Sequence, residues 1–336
     1  MRAAFFASLL VTSMLLTPML LKPTGGAAAE AIEVGCLRLT LSTDDEPERA
    51  VDSLRWRGGC ALSSGAEGFG GFSDLLLAPD GRGLVAISDK GRWLSAALAY
   101  DADGNVAGLT AARLGPLHDT AGRLLSVSIK RRQDAEALAR LPDGSLLVAF
   151  EREHRLRRFP ADLGGRAEVF DAPPGLAEAD INAGIEAMVT LADGRLLAFS
   201  EGQQDDGSSA VFLREESGDW PGGWQHLTLR PGGLFRTTGA ALLPSGDVLL
   251  LERRYTLLGG LGARLSRIDA DGIRPGARLE TETLAELAPP LTLDNFEGVA
   301  VHRAADGATR ITLLSDDNFN PLQRTLLMQF EWVEGE

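Results

Sequence analysis

A hairpin that keeps returning is the feature that most constrains this chain. A polar residue, an alternating apolar strand, a turn ending in Gly and a second apolar strand ending in an acid recur along most of its 336 residues. The clearest copies are EALARLPDGSLLVAFE from Glu136 to Glu151 and EAMVTLADGRLLAFSE from Glu186 to Glu201, which align without a gap. Looser copies run from Ser73 to Asp89, from Thr238 to Arg253 and from Glu297 to Asp316. Asp-Gly between apolar runs is the strongest short-range hairpin signal, because Gly reaches positive φ without steric cost. The turns centre on Asp80-Gly81, Asp143-Gly144, Asp193-Gly194, Ser245-Gly246 and Asp306-Gly307, at intervals of 63, 50, 52 and 61 residues. Such a period suits a four-stranded propeller blade with generous outer loops, so the expected fold is all-β, a single β-propeller.

Blade number follows from what is left over. The stretch from Val34 to Ser63 holds further strand-like sequence, including CLRLTLS and SLRWRGGCALSS, whereas the C-terminal RTLLMQFEW is too short to finish a blade. An N-terminal strand is therefore expected to close the last blade, with six blades preferred and five compatible. A β-sandwich or two smaller β domains is the alternative, and repetition sustained along the chain counts against it. No amphipathic helix of useful length is apparent.

The first 29 residues read as a targeting segment: Arg2, an apolar run from Ala3 to Leu21, and Ala27-Ala28-Ala29 before the expected cleavage. Residues 30–336 would form the propeller domain; an uncleaved membrane anchor is the other reading of so long an apolar run. No later segment could span a bilayer. The expected location is periplasmic or secreted. There Cys36 and Cys60, the only two cysteines, would pair. With 47 acidic against 33 basic side chains the net charge is -14. That excess argues against a nucleic-acid partner, whose phosphates are held by Lys and Arg. It suits a cation.

A two-residue turn would place Glu136 opposite Glu151, Glu186 opposite Glu201 and Glu297 opposite Asp316. Like charges directly opposed on a sheet are destabilising and need compensation. In a propeller all these strand ends meet at one mouth of the channel. Six carboxylates from Glu136, Glu151, Glu186, Glu201, Glu297 and Asp316 would make an oxygen-rich site suited to Ca²⁺. Zinc fits poorly, since His118, His154, His226 and His302 show no metal-ligand spacing. Bases interleave with the acids: Lys130, Arg131 and Arg132 precede Asp134, Arg152 follows Glu151, Lys90 and Arg92 follow Asp89, and Arg253 and Arg254 follow Glu252. Carboxylate-held cations beside Lys and Arg could bind phosphate. The competing reading is that these bases only neutralise the acids. Ser73 in GGFSD lacks the flanking pattern of a nucleophile elbow. Gly65 to Gly71 opens a β unit and so does not read as a phosphate loop.

The strings FSDLLLAPDG, AISDKGRW, DAEALARLPDG, AFEREHRLRRF, NAGIEAMVTLADG, FSEG, NFEGVAV and LLSDDNFNP resemble the phytase-like proteins described as having esterase-like activity of phytase. The resemblance covers roughly Phe69 to Trp332. It implies a propeller, export from a bacterial cell, and hydrolysis of phosphoesters or other esters. On that reading Ca²⁺ would be held by the six carboxylates, while Arg152 and Lys130 stabilise charge on the reacting oxygens. Asp89 or Asp317 would orient the attacking water. The substrate would be a small-molecule phosphoester or ester; separately, the protein is expected to be a monomer. Two alternatives stay open: a non-catalytic Ca²⁺-stabilised propeller that binds a partner or glycan, and a lactonase-like hydrolase with one channel metal.

Overall fold

In the computed structural model, which describes residues 29–42, 49–125, 129–181, 183–215, 223–230, 232–257 and 259–333, every recurring hairpin becomes the two inner strands of an antiparallel blade. Blade 1 comprises Phe72–Leu77, Gly83–Ser88, Arg92–Tyr100 and Val106–Pro116. Blade 2 follows with Ala135–Arg140, Leu146–Phe150, Arg155–Phe159 and Glu168–Phe170. Blade 3 is Ile185–Thr190, Leu196–Gln203, Ser209–Arg214 and Trp224–Leu229; blade 4 is Arg236–Leu242, Val248–Thr256, Gly260–Ile268 and Glu282–Leu287. Blade 5 takes Asn295–Arg303, Thr309–Asp316 and Thr325–Trp332 from the end of the chain and Leu54–Ser63 from its beginning.

The described residues thus form five blades, not the six preferred from sequence. The strand-rich N-terminal stretch does not make a blade because its strands find edges already waiting for them. Leu54–Ser63 pairs with Thr325–Trp332 and closes the ring, as expected. Gly35–Arg38 adds outside it, and Glu30–Ala31 pairs with blade 1 through Leu114 and Arg113. Closure in this manner leaves no long unpaired inner edge, the liability that open sheets carry. The expected signal peptide lies outside the described residues except for Ala29, whose carbonyl accepts a hydrogen bond from Arg113 Nη2 at 3.0 Å. Among the described residues no helix is long and apolar enough to cross a membrane.

Strand alternation sends one set of apolar residues into each seam between neighbouring blades. Five buried clusters result, one per seam. Phe72, Leu75, Leu314 and Leu327 fill the seam between blades 5 and 1, for instance, and Leu249, Leu251, Phe296 and Phe330 that between blades 4 and 5. Trp93, buried in the seam between blades 1 and 2, donates through Nε1 to the Pro116 carbonyl at 3.1 Å. It packs and does not line the mouth.

Cys36 and Cys60 form a disulfide with a Cα–Cα distance of 5.1 Å, tying Gly35–Arg38 to the closing strand. The bridge closes a short loop, which should be worth about 3 kcal/mol by the chain-entropy account. Replacing both cysteines with Ser is expected to lower the melting temperature by roughly 6 °C. Thermal denaturation checks this, and an unchanged melt would mean that strand pairing alone secures the closure.

Candidate functional site

Turn chemistry decides where the acids finish. In blade 2 the Leu141 amide donates to the Ser145 carbonyl and the Gly144 amide to the Leu141 carbonyl, both at 2.8 Å. Gly144 has φ 85° while Asp143 is not in the left-handed region. A two-residue type I′ turn needs positive φ at both central residues. This is instead a longer turn with Gly alone in the left-handed position, and blades 3, 4 and 5 repeat it at Gly194, Gly246 and Gly307. The expected register is displaced from the outset.

A second displacement follows on each inner strand. Strand pairing skips one residue at Ser73, Glu136, Glu186, Thr238 and Glu297, one in every blade. Such a bulge bends the strand and re-aims a side chain. As a result the acids expected to oppose each other do not. The Glu151 amide donates to the Asp134 carbonyl at 2.9 Å, the Glu201 amide to the Gly184 carbonyl at 3.1 Å, and Asp316 pairs with Asn295. All five bulge residues nevertheless line a single cavity of about 790 Å³ at one mouth of the ring. The sequence identified the Glu members of that ring; Ser73 is the blade 1 equivalent. Asp74 turns into the structure, where it accepts from the amides of Leu75 and Leu138, each at 2.7 Å, and latches blade 1 to blade 2.

Nine carboxylates and four basic side chains line this cavity among the described residues. The surplus calls for bound cations or protons. Two groups of oxygens converge within 4.8 Å: one from Asp134, Glu136 and Glu151, the other from Glu151, Glu186 and Glu201. Glu151 belongs to both. Burial pushes Glu136 and Glu186 well above the ordinary carboxyl range, and neighbouring acids add to it, Glu186 and Asp134 for the first and Glu201 and Glu151 for the second. Glu151, raised to about 7 by burial and then by Asp134, is held back by Arg152. The Glu186 Oε1 atom is buried without a hydrogen-bond partner. Hard, anionic, unsatisfied oxygens at this spacing fit Ca²⁺, which accepts irregular oxygen coordination.

The remaining predicted residues divide. Glu297 lines the cavity but is held by Asn295 Nδ2 at 2.8 Å and Arg253 Nη2 at 3.3 Å and belongs to neither oxygen group. Its carboxyl is raised to about 7 by burial despite Arg253. Asp316 also lines the cavity; it accepts from the Asn318 amide at 2.7 Å and is raised to about 7, chiefly by burial. Lys130 bridges Asp89 at 2.7 Å and Asp134 at 2.8 Å; although burial opposes it, these two carboxylates hold its ammonium above the ordinary value. Arg152, with φ 63°, donates through Nε to Asp134.

The two acids expected to orient water differ in placement: Asp89 lines the cavity and keeps a buried Oδ1 without a hydrogen-bond partner, whereas Asp317 does not line it. Asp89 gives its Oδ2 to Lys130. Asp317 lies off the cavity wall, accepting from the amides of Gly71 at 2.9 Å and Phe319 at 3.0 Å and from the Thr325 hydroxyl at 3.0 Å. Its role is to fix a loop. The reason is local: a short acid just past a strand end is in reach of the amides of the following turn. Glu252 is likewise absent from the site, taken up by Arg264 at 2.7 and 2.8 Å and by Ser266 at 2.6 Å.

Sequence reasoning did not select Asp134, Asp180 or Arg236, all of which line the cavity. Asp134 was detectable, since Lys130 precedes it by one helical turn and an acid two places before a strand-end Glu recurs nowhere else in the hairpins. Asp180 and Arg236 carried no such signal. No histidine lines the cavity among the described residues, so Ser73 has no imidazole beside it to act as a base.

Comparison with known proteins gives one family match and several distant structural likenesses. The phytase-like family, described as esterase-like activity of phytase, matches residues 67–319. No curated protein matches the chain. Among solved structures, the PQQ-bound aldose sugar dehydrogenase of Streptomyces coelicolor is 13% identical, covering 91% of this chain and 99% of its own, with a TM-score of 0.46. A gluconolactonase of Xanthomonas campestris is 11% identical over 92% and 99%, TM-score 0.41, and virginiamycin B lyase of Staphylococcus aureus is 10% identical over 89% and 99%, TM-score 0.41. Likenesses this remote say nothing about chemistry.

Proposed function

Since the chain belongs to the phytase-like family, we propose that it is an exported, Ca²⁺-dependent hydrolase of phosphoesters or related esters, working at the carboxylate-lined mouth. The observation that carries this reading is the pair of oxygen groups sharing Glu151 with Lys130 and Arg152 beside them. The apolar leader and the Cys36–Cys60 bridge support export.

Bound there, Ca²⁺ would supply a Lewis acid that polarises the substrate oxygen and lowers the pKa of a coordinated water. Asp134, Glu136, Glu151, Glu186 and Glu201 would hold it. Arg152 spends its Nε on Asp134, leaving the Nη fork to meet phosphoryl oxygens, and Lys130 adds a fixed positive charge at the same wall. Charge that develops in the transition state would thus meet groups already oriented by ion pairs, which avoids reorganisation at the moment of reaction. Asp316 and Asp89 both line the cavity and could orient the water, whereas Asp317 does not; burial raises Asp316 to about 7, near the optimum for a general base at neutral pH.

Turnover of phenyl phosphate and phenyl acetate by the full mature chain, with Ca²⁺ and with chelator, tests the proposal. Hydrolysis that disappears on chelation and returns with Ca²⁺ is expected. A protein whose melting responds to Ca²⁺ while neither substrate is ever turned over would be a binding module instead.

A further inference from the structure

Phe72, Phe150, Phe159, Phe199, Phe296 and Phe330 are all fully buried, but Phe319 is 41% exposed. Its position is enforced. Asn318 and Phe319 have φ 48° and 49°, consecutive left-handed conformations that Asn tolerates but that a bulky Phe adopts only when its surroundings impose it. The imposition comes from the strand-end acids: Asp316 accepts from the Asn318 amide at 2.7 Å and Asp317 from the Phe319 amide at 3.0 Å.

The ring lies beside residues of the cavity wall without itself lining it. Asn318 and Asp89 both line the cavity. A Cβ on Gly71 would stand 2.3 Å from Phe319 Cε2 and 2.5 Å from Asp89 Oδ1, so only glycine there lets the ring lie against Asp89. Lys90 places its ammonium 5.0 Å from the ring centroid. An apolar, planar surface beside a cation is thereby presented next to a strongly polar, acid-lined chamber.

We propose that Phe319, with Lys90, is the specificity platform on which the esterified group of the substrate stacks, so that the mouth selects planar aromatic esters over saturated ones of the same size. The inference rests on the hydrolase reading for its substrate class, and the reacting centre would sit deeper, among the carboxylates. An aromatic face pairs with another ring by offset or edge contacts that a puckered aliphatic ring cannot reproduce. The neighbouring ammonium would also attract the face of a second, electron-rich ring within its reach.

Calorimetric binding of phenylphosphonate and cyclohexylphosphonate in Ca²⁺ buffer tests this without requiring turnover. The full mature chain is expected to bind the phenyl compound about three- to tenfold more tightly, the range aromatic pairing provides. Phe319→Leu should erase that preference with little change for cyclohexylphosphonate, and Phe319→Tyr should keep it. No preference in the natural chain, no binding of either compound, or equal loss of both in Phe319→Leu would overturn the platform. If the preference appears but phenyl phosphate is never hydrolysed, the hydrolase reading fails and the platform stands.

Discussion

Stripped of divalent metal, the protein should lose stability as pH rises from about 5 to about 8, by on the order of 5 kcal/mol in total. Burial and neighbouring acids raise Glu151, Glu297 and Asp316 to about 7, and raise Glu136 and Glu186 well beyond their ordinary range. Folded-state values above the unfolded ones mean that the native protein binds more protons across this window. The stabilisation is complete below the unfolded carboxyl range and is lost as pH climbs through the folded values. Several shifted groups would sum to more than 5 kcal/mol, but the cavity is open to water and its sites interact, so the sum is discounted. The corresponding fall in melting temperature is about 10 °C. On the proposed reading, saturating Ca²⁺ would take over the protons' role and flatten the curve. Differential scanning calorimetry at pH 5, 6, 7 and 8, with chelator and with Ca²⁺, checks both parts. A flat profile in chelator would show that the acids are not crowded as described.

Glu151→Gln should produce opposite effects with and without the ion. Glu151 is shared by both oxygen groups, so its loss weakens every arrangement that uses either. At 100 times the dissociation constant a ligand stabilises by about 2.7 kcal/mol, and most of that Ca²⁺-dependent gain should vanish in the variant. Hydrolytic turnover should fall with it. In chelator at pH 8 the same substitution should raise the melting temperature, because it removes a charge that Asp134 and Glu201 repel. Glu252→Gln provides the contrast: Glu252 is buried in an ion pair with Arg264, so breaking it should cost about 3 kcal/mol or more and leave the response to Ca²⁺ intact. A full Ca²⁺ response in Glu151→Gln would remove that residue from the proposed site.

Much of the fold could be read from the chain. The recurring Gly-terminated hairpins marked all five inner strand pairs, and the short C-terminal segment pointed to closure by an N-terminal strand. The blade count was less legible. Strand-like sequence between Val34 and Ser63 has the same alternation whether it builds a new blade or extends existing edges, and only packing distinguishes these. Asp317 and Asp316 pose a similar problem at the site. They are adjacent acids at one strand end, yet one faces the cavity and the other ties down a loop.

The sequence by itself determined the architecture and the supply of carboxylates at one mouth, because period-two alternation and Gly turns act locally and repeat with the blade. Only the tertiary structure decided which acids meet. A three-residue turn in blades 2 to 5 and a bulge in every inner strand displace the register by single residues, and in a strand one residue is the difference between two faces. Glu136, Glu151, Glu186 and Glu201 come together with Asp134 through those displacements and through the ring that brings blades 2 and 3 side by side, not through direct opposition in their hairpins.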